Sequence, residues 1–501
     1  SSMEIPPASP VKTSGLAEED VNVKNMVVID PVTRIEGHAK ITIALDESGQ
    51  VDDCRFHVTE FRGFEEFCKG RPVWEMPSLT ARTCGICPVS HLLASAKAGD
   101  AVMGVQIPDT AVKLRRVVNL GQIIQSHALS FFHLSAPDLL LGWDSNPAAR
   151  NVFGLMAEEP ELARRGIMLR SFGQGVIESI AGRKVHSPGI LPGGIAEPMT
   201  QETRERLQEE LVEARRTAED ALVLFAEILD KFEREIQAFG SFPSYYLGLS
   251  NDDGLWEHYD GYLKMVDADG NVAATGVAPI DYRTIIGEAG RRDSYLKSPY
   301  FKPAVGPDDD PVKGIYRVGP LARLNVCERM GVPAADEALV EYRERAGGIA
   351  SSSFFYHYAR LIEILAATER MADHLADDSV VGPHARARAG VNAHHVVGVS
   401  EAPRGTLFHE YKVDDHGVLT DMNMIIATGQ NNLPMNETVH QIAREWIDGP
   451  NIPEGILNRI EAGIRAYDPC LSCSTHAIGQ MPLVVSLLAP DGEVLSEVRR
   501  G

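Results

Sequence analysis

The sequence has little of what a membrane-spanning, secreted or nucleic-acid-binding protein needs. A helix that crosses a bilayer takes ~20 consecutive apolar residues, but DALVLFAEIL is interrupted by charges and MPLVVSLLAP is bounded by prolines. The start of the chain has neither the basic head nor the apolar segment of a signal peptide, so we predict a polar N-terminal tail over 1–25. The formal net charge of -22 argues against nucleic acid, because Lys and Arg drive binding to phosphates.

The sequence also has few cysteines and no nucleotide-binding loop. Seven cysteines in 501 residues is an odd number, which is typical of reduced thiols in a cytoplasm and not of a disulfide framework. We therefore predict a cytoplasmic protein, and export together with a signal-bearing partner stays open. Neither Gly-x-Gly-x-x-Gly nor Gly-Lys-Ser/Thr occurs, so this chain should bind no nucleotide itself.

The spacing of apolar residues predicts both strands and helices. Apolar residues alternate from Met26 to Glu60, which predicts a β-hairpin with its turn at DESGQ. Dense apolar residues from Arg115 to Leu141 predict one long helix that is buried on several sides. A second long helix should begin behind Thr200 as its N-cap, since apolar residues follow at three- and four-residue steps from Leu207 to Phe232.

The second half of the chain changes character twice. Clusters of glycine, aspartate and proline from 241 to 318 predict a loop-rich insertion with a short hairpin at VDADGNV. Helical spacing returns from Ala335 to Asp378, and RGTLFHEYKVDDHGVLTDMNMIIAT then predicts a hairpin that turns at DDHG. Two further helices should lead to the last cysteines.

Two cysteine pairs stand near opposite ends of the chain. RTCGICPVSH contains Cys84 and Cys87, and DPCLSCSTH contains Cys470 and Cys473. If Cys84, Cys87 and His91 lie on one helix, they share a face, and the N-terminus of that helix stabilises both thiolates. Four thiolates form a soft ligand set that suits zinc, iron or nickel far better than magnesium or calcium.

A structural zinc site of four cysteines is the simplest alternative. However, the two pairs are far apart in the sequence, and each has its own histidine, with Asp468 beside the second pair. A reactive metal needs such polar neighbours, because they tune the basicity of the thiolates and carry protons. The pattern therefore favours catalysis over a structural ion.

These motifs resemble those of a known family, the large subunits of nickel-iron hydrogenases. DPVTRIEGH, EFRGFEEFCKGRPVWEM, RTCGICPVSH, EAPRGTLFHEYK and DPCLSCSTH occur in the family's order over essentially the whole chain. NLGQIIQSHALSFFHLSAPDLLLGWDS and YRVGPLARLNVC resemble the cytoplasmic, bidirectional, NAD-linked branch. The resemblance implies an α+β, mainly α-helical fold, in which small antiparallel sheets flank a central bundle of long helices. It also implies one catalytic domain over 26–476, followed by an extension over 477–501 that is removed on maturation.

The resemblance assigns the four cysteines to a nickel-iron centre that cleaves dihydrogen reversibly. Cys84 and Cys470 would bind nickel alone, and Cys87 and Cys473 would bridge nickel to an iron that has carbonyl and cyanide ligands. A metal polarises dihydrogen so that a nearby base can take the proton. By this resemblance, Cys470 accepts the proton first and Glu36 in RIEGH relays it outward.

The same resemblance implies roles for other residues. Arg404 would face the diatomic ligands of the iron and could also act as a base, and Thr428 would donate a hydrogen bond to a cyanide. His91 would hydrogen-bond a bridging cysteine sulfur. Where uptake enzymes of the family have HDH, this chain has QSH with Ser126, so Arg404 lacks that aspartate and Asp468 could pair with it instead.

A second, hard cation is implied as well. Glu65 in FRGFE, the carbonyl of Met424 and His476 would bind magnesium through oxygens, water and imidazole. The neighbouring Glu66 is predicted to be solvated. The remaining cysteines match no ligand position and should be small buried apolar residues: Cys54, Cys68 and Cys327.

The resemblance implies several partners. No cysteine set remains for an iron-sulfur cluster, so electrons should leave through an iron-sulfur small subunit, and from there through diaphorase subunits that bind FMN and NAD. Nickel-insertion chaperones and an endopeptidase that cuts after His476 are implied too. We expect the uncut extension to hold Cys470 and Cys473 away from the closed site, and its LVVSLL run to add a strand to a sheet edge.

Three alternatives stay open from the sequence. One is a plain zinc protein, and another is a non-catalytic subunit similar to the quinone-reducing respiratory subunits, which have this fold without nickel. Four intact cysteines count against the respiratory type. A hydrogenase of another branch, with a different electron acceptor, is the third alternative.

Overall fold

The computed structural model describes residues 26–291, 294–449 and 451–475, and the backbone of 483–488 and 494–500. The polar tail predicted over 1–25 and His476 lie outside these residues. The described α-helices are α1 (Phe64–Cys68), α2 (Met76–Thr80), α3 (Pro88–Met103), α4 (Asp109–Ala128), α5 (Ala136–Leu141), α6 (Val152–Glu158), α7 (Pro160–Ala181), α8 (Gln201–Leu229), α9 (Glu233–Ala238), α10 (Pro320–Val326), α11 (Pro333–Ala346), α12 (Phe355–Ala376), α13 (Ala427–Gln430), α14 (Asn432–Trp446), α15 (Glu454–Tyr467) and α16 (Leu471–Ser474).

The strands are shorter and belong to several small sheets. They are β1 (Met26–Ile29), β2 (Ala39–Leu45), β3 (Val51–Val58), β4 (Ile190–Leu191), β5 (Gly194–Ile195), β6 (Tyr245–Ser250), β7 (Tyr262–Val266), β8 (Val272–Val277), β9 (Ile286–Arg291), β10 (Ser294–Phe301), β11 (Tyr316–Arg317), β12 (His395–Ala402), β13 (Gly405–Val413), β14 (Leu419–Ile425), β15 (Leu483–Leu488) and β16 (Val494–Arg500).

Four long helices, α4, α7, α8 and α12, pack against one another in the centre of the chain. Helix α8 begins where we predicted, and the hydroxyl of its N-cap Thr200 accepts a hydrogen bond from Thr203 N. Helices α4 and α7 approach closely because Gly173 has no side chain; a Cβ there would lie 2.5 Å from the carbonyl oxygen of Gly121. The predicted mainly helical fold with a central bundle is confirmed.

The helix predicted as one piece from Arg115 to Leu141 is interrupted. Helix α4 ends at Ala128, a π-helical segment follows over Leu129–Ser135, and α5 completes the stretch. Pro137 explains the break, because it has no N–H to donate to the preceding turn and its ring crowds the carbonyl four residues earlier. A wider π-helical turn accommodates this defect.

Two antiparallel sheets of three strands flank the bundle, as predicted. Strands β1, β2 and β3 pair in chain order and include the predicted N-terminal hairpin. Strands β12, β13 and β14 also pair in chain order, and the turn between β13 and β14 contains the DDHG motif. Helix α3 packs across β12 and β13, so the first cysteine pair lies beside this second sheet.

The segment 241–318, for which we predict a loop-rich insertion, contains strands β6 to β11. The predicted hairpin at VDADGNV is formed by β7 and β8. These two strands belong to a four-stranded sheet in the order β11-β6-β7-β8, in which β11 runs parallel to β6 and the other pairs are antiparallel. Strands β9 and β10 pair with each other, and β10 contacts β3, α13 and α14.

Two further observations concern the sequence expectations about membranes and the C-terminal extension. None of the described helices combines the length and the apolar character needed to cross a membrane. The LVVSLL run forms β15, which pairs with β16 in a two-stranded antiparallel hairpin and not with the edge of another sheet. The expectation that this run extends a sheet edge is therefore wrong.

Candidate metal centre

The first cysteine pair lies in a turn before α3 and not on one helix face, which corrects the expectation from its spacing. Cys84 has extended backbone, and Cys87 is the N-cap residue of α3. Pro88 is the cause, because the residue before a proline is pushed out of helical conformation and a proline favours the first helical position. The backbone N–H groups of Ile86 and Cys87 donate to Cys84 Sγ at 3.2 and 3.3 Å. These two donors stabilise a thiolate at Cys84.

Helix α15 leads directly to the second cysteine pair. The helix ends at Tyr467. Its C-cap residue is Asp468, which has a left-handed backbone with φ 53°, and Pro469 follows. Cys470 is extended, and its backbone N–H donates to the hydroxyl oxygen of Thr428 at 2.9 Å. Cys473 lies in the short helix α16. The Thr428 hydroxyl thus accepts from the Cys470 backbone and keeps its own O–H as a donor.

The fold brings the four cysteine sulfurs into one buried cluster. Cys470 Sγ lies 2.9 Å from Cys473 Sγ and 3.1 Å from Cys84 Sγ, and Cys87 Sγ lies 3.6 Å from Cys473 Sγ. All four sulfurs lie within 4.8 Å of one another, and no other group of three or more potential metal ligands occurs within the described ranges. The two cysteine pairs thus lie next to each other although the chain still includes the extension. This contradicts our expectation that the extension holds the second pair away from the site.

The cluster lacks positive charge of its own. Burial raises the pKa of Cys470 and of Cys473 well above the usual thiol range, whereas hydrogen bonds from Cys470 and Cys473 lower the pKa of Cys84. A hydrogen bond from Cys470 likewise lowers the pKa of Cys87 to about 6. This split means that some sulfurs keep their protons so that others can ionise. A soft metal cation would allow all four to bind as thiolates.

Arg404 is buried beside the cluster and is held by two residues, Asp468 and Ser126. Its Nη2 lies 2.9 Å from Asp468 Oδ1, its Nε donates to the Asp468 carbonyl, and its Nη1 donates to Ser126 Oγ at 3.1 Å. Burial opposes the charge of Arg404, but Asp468 and the nearby cysteine thiolates raise the pKa of the guanidinium above its ordinary value. Arg404 is therefore a fixed hydrogen-bond donor and a poor base.

His91 contacts a second histidine. Its Nδ1 lies 3.1 Å from His409 Nε2, and His409 Nδ1 lies 2.7 Å from the hydroxyl of Tyr411, which donates to Ser95 Oγ at 2.8 Å. The resemblance implied that His91 hydrogen-bonds a cysteine sulfur. Among the described residues, its hydrogen-bond partner is His409 instead. The sequence did not predict His409, whose only signal is a histidine inside the largely buried strand β13.

Glu36 runs beside Cys470. The two backbones form an isolated parallel bridge, and the N–H of Ser472 donates to Glu36 Oε2 at 3.0 Å. Gly37 makes this approach possible, because its φ is +86° and a Cβ there would lie 2.7 Å from Leu471 Cβ. Glu36 is partly exposed, so this residue contacts both the second cysteine turn and solvent.

The proposed hard-cation site contains a lysine that the sequence analysis missed. Glu65 Oε1 accepts hydrogen bonds from Lys297 Nζ at 2.8 Å and from Met424 N at 2.7 Å. Lys297 Nζ also lies 3.3 Å from Glu288 Oε1, and a small cavity adjoins Glu288, Lys297 and Met424. Two carboxylates around one ammonium leave a net negative charge here. The signal for Lys297 was a single charge inside the mostly apolar strand β10.

The three cysteines without a predicted ligand role are buried and lie outside the cluster, as expected. Burial raises the pKa of Cys68 to about 11 and that of Cys327 to about 12, and it also raises the pKa of Cys54. These thiols therefore stay protonated and unreactive.

Two protein families match this chain. Residues 26–61 match a family described as HoxL-like, and residues 62–143 and 261–476 match the family described as Nickel-dependent hydrogenase. The second match includes both cysteine pairs.

Individual relatives agree with these matches. The chain is 41% identical to the NAD-reducing hydrogenase HoxS subunit beta of Cupriavidus necator, over 95% of this chain and 99% of the relative. It is also 41% identical to a subunit of the F420-non-reducing hydrogenase of Methanothermobacter thermautotrophicus, over 93% of this chain and 98% of the relative.

Solved structures are similar along most of the chain. The crystal structure of an NAD+-reducing [NiFe]-hydrogenase in the H2-reduced state is 45% identical, has a TM-score of 0.87, and covers 90% of this chain and 100% of that chain. A Ni-Fe-Se hydrogenase from D. vulgaris Hildenborough, at 22% identity and a TM-score of 0.73, shares the fold over 90% of this chain and 100% of its own.

Proposed function

The chain belongs to the nickel-dependent hydrogenase family and is the large, catalytic subunit of a nickel-iron hydrogenase, and from this premise we propose how its residues serve the cleavage of dihydrogen. The observation behind the proposal is the buried cluster of four sulfurs within 4.8 Å of one another. The family match favours this function over a zinc scaffold and over a nickel-free respiratory-type subunit.

The four cysteines fit a nickel-iron centre in number, softness and charge. Cys84 and Cys470 would hold the nickel, and Cys87 and Cys473 would hold both the nickel and an iron that has carbonyl and cyanide ligands. When bound, this centre supplies the Lewis acid that polarises dihydrogen and takes up its electrons. Thiolate ligands are basic enough to receive the proton, which is why a sulfur of the cluster can act as the first base.

Cys470 and Glu36 form the start of the proton path. Cys470 takes the first proton, and Glu36 receives it because the two residues are adjacent through their backbone bridge. The hydrogen bond from Ser472 N to Glu36 Oε2 orients the carboxylate, and a fixed carboxylate near the donor shortens the transfer. Partial exposure of Glu36 lets the proton continue outward.

Arg404 and Thr428 would act as hydrogen-bond donors toward the diatomic ligands of the iron. Support for Arg404 comes from its permanent charge and from Asp468 and Ser126, which hold the guanidinium in place. Support for Thr428 comes from its O–H, which remains a donor while the oxygen accepts from Cys470 N. His91 lies in the first turn of α3 and contacts His409. It completes the polar surroundings of the cluster.

We also infer a magnesium ion at Glu65, the Met424 carbonyl and His476. The two carboxylates of Glu65 and Glu288 favour a cation, whereas the ammonium of Lys297 competes for Glu65. The magnesium content of the purified wild-type protein and of Glu65→Gln shows whether Glu65 binds magnesium or only the ammonium group of Lys297. Equal magnesium in both proteins, or none in the wild type, would leave Lys297 as the counter-ion and disprove the magnesium site.

The partners follow from the names of the relatives and from the metal ligands. Within the described residues, the four cluster cysteines are the only group of three or more His, Cys, Asp or Glu side chains that could hold a metal. No second cysteine set remains for an iron-sulfur cluster, so we propose that electrons pass to an iron-sulfur small subunit. The relative from Cupriavidus necator is named as a subunit of an NAD-reducing hydrogenase, and we propose diaphorase subunits with FMN and NAD in a cytoplasmic complex. Affinity purification of the tagged chain from its native cells, followed by hydrogen-dependent NAD reduction, tests this assignment; retrieval of the chain alone contradicts it.

Maturation is proposed to remove residues 477–501. The match to nickel-dependent hydrogenases ends at residue 476, directly after the second cysteine motif. A nickel-insertion chaperone and an endopeptidase would act in that order. Intact-mass measurement of protein from cells grown with and without nickel should show loss of 477–501 only with nickel, and a full-length chain with bound nickel in active enzyme would contradict this step.

The central experiment measures metals and infrared bands on the purified enzyme. We expect nickel, iron and intrinsic carbonyl and cyanide bands in the wild type, and loss of nickel from the serine variants of each cluster cysteine: Cys84, Cys87, Cys470 and Cys473. Cys327→Ser, at a buried cysteine outside the cluster, is the matched control and should keep its nickel. Zinc alone in the wild type, or normal nickel in all four variants, would refute the function.

A further inference from the structure

Helix α4 contacts the first cysteine turn through two buried glutamines. Gln122 Nε2 and Gln125 Nε2 both donate to the carbonyl oxygen of Ile86, at 2.9 and 2.7 Å. Gln122 is 0% exposed and Gln125 is 4% exposed. A carbonyl oxygen has two lone pairs, so these two amides use its full accepting capacity. Ile86 itself lies between the two cysteines of the turn.

The Ile86 carbonyl belongs to the same peptide group as the N–H of Cys87. In a trans peptide the C=O and N–H bonds point in opposite directions. Because the two glutamines hold the oxygen toward α4, the N–H points away from α4, and there it donates to Cys84 Sγ at 3.3 Å. The orientation of one peptide plane thus links the two glutamines to the sulfur of Cys84.

We propose that Gln122 and Gln125 are positioning residues that keep the N–H of Cys87 on the Cys84 sulfur. An N–H donor withdraws electron density from a thiolate, so this contact tunes Cys84 as a metal ligand. The proposal deepens the proposed function and rests on it, since the tuning matters only when Cys84 binds the nickel-iron centre. Neither glutamine is a ligand or a proton carrier.

Two features favour positioning over simple packing. One hydrogen bond would satisfy the Ile86 carbonyl, yet two buried amides converge on it. In addition, the residue after Gln125 is Ser126, which accepts a hydrogen bond from Arg404. The same turn of α4 therefore holds the cysteine turn on one side and the arginine beside the sulfurs on the other.

The test uses methionine variants, since methionine has about the length of glutamine but no donor. We expect amide hydrogen exchange in the peptide that contains Cys87 to become several-fold faster in Gln122→Met/Gln125→Met, because the Cys87 N–H leaves its sulfur acceptor. In the loaded enzyme we expect the carbonyl infrared band to shift to lower wavenumber, because a thiolate with fewer donors gives the metals more electron density. Each single variant should show a smaller change in the same direction.

Gln208→Met is the matched control. Gln208 lies on helix α8, and its Nε2 donates to the carbonyl of Leu375 on α12 at 3.0 Å. The variant therefore loses a similar hydrogen bond away from the cluster. It should leave the hydrogen exchange at Cys87 and the infrared band unchanged. Wild-type exchange and wild-type bands in the double variant would overturn the proposal. If the double variant does not accumulate, unchanged exchange in both single variants overturns it as well.

Hydrogen exchange separates this proposal from the proposed function. A wild-type enzyme without carbonyl and cyanide bands would refute the nickel-iron centre, whereas the exchange measurement needs no metal and still tests the link between the glutamines and the Cys87 N–H. Faster exchange with unshifted bands would show that the glutamines orient the peptide but do not tune the site, and the proposal would then be wrong.

Discussion

The guanidinium of Arg404 and the carboxylate of Asp468 form a buried ion pair at 2.9 Å, and each side chain is only 3% exposed. Asp468 lies two residues before Cys470, and Arg404 lies between β12 and β13. The pair therefore joins the second cysteine turn to the sheet of β12, β13 and β14. Its removal should be costly, because either partner alone would be a buried charge without a counter-ion.

We expect Asp468→Ala to lower the free energy of unfolding by about 3–5 kcal/mol, since Arg404 would remain buried and unpaired. Urea denaturation of the purified chain measures this change. Lys412→Ala, which breaks the exposed pair with Asp421, is the control and should cost less than about 1 kcal/mol. Equal losses in the two variants would show that the buried pair has no special importance.

Glu36→Gln should separate proton transfer from metal binding. Glutamine can still accept the hydrogen bond from Ser472 N but cannot relay a proton. We therefore expect a normal nickel content, while the rate at which the enzyme exchanges dihydrogen with solvent deuterium falls about 10²- to 10⁴-fold. Glu66→Gln serves as the control, because Glu66 is exposed and pairs with Lys69 at the surface. Activity near the wild-type level in Glu36→Gln would exclude this carboxylate from the proton path.

Gly37→Ala should disturb the approach of Glu36 to Cys470. The added Cβ would lie 2.7 Å from Leu471 Cβ, at a backbone φ of +86°. Gly70→Ala is a matched control, because Gly70 has a similar φ of +79° and open space around its Cβ position. We expect roughly 1–2 kcal/mol of backbone strain in both variants, but lost dihydrogen cleavage only in Gly37→Ala. Equal activities would mean that the turn adapts to the clash.

Buried His357 predicts a loss of stability in mild acid. Burial lowers the pKa of His357 to about 3, and a nearby Arg360 acts in the same direction, whereas the unfolded side chain titrates near 6.5. Between these values the unfolded chain binds the extra proton, so stability falls as the pH falls from about 6.5 toward 3, by at most about 1.4 kcal/mol per pH unit from this group.

The check is the thermal midpoint of His357→Phe and of wild type between pH 6.5 and 4.5. The variant should lose less stability on acidification, because it no longer has this histidine to protonate in the unfolded chain. Other buried histidines, such as His127 with a pKa of about 4 from burial, keep part of the slope. His394→Phe, at an exposed histidine, should match the wild-type slope; identical slopes in all three proteins would contradict the assignment.

Much of the local structure follows from sequence patterns. Alternating apolar residues predict the hairpins of β2 with β3 and of β13 with β14, and the apolar stripe behind Thr200 locates the start of α8. The same reasoning misses the π-helical break before α5, since one proline outweighs a long apolar pattern. Within 241–318 it finds the hairpin of β7 and β8 but misses the other strands, because turn residues between short strands dominate the composition there.

The motifs identify the ligands but not their surroundings. The cysteine spacing points to a metal, and the sequence offers Asp468 as a possible partner of Arg404, which the structure brings together with it. The partners of His91 and Glu65 are not predictable in this way, because His409 and Lys297 are single residues inside largely buried strands and belong to no motif.

The sequence by itself determined the chemistry: four thiols, a carboxylate, an arginine and the neighbours that suit a soft, reactive metal. Only the tertiary structure decided which groups meet, because residues at opposite ends of the chain converge through the packing of α3 against α4 and against β12 and β13, and through the backbone bridge between Glu36 and Cys470. Contacts such as those of Gln122 and Gln125 with Ile86 depend on distances across that packing. Such distances are set by the sum of many weak contacts along the whole chain, and no short stretch of sequence encodes them.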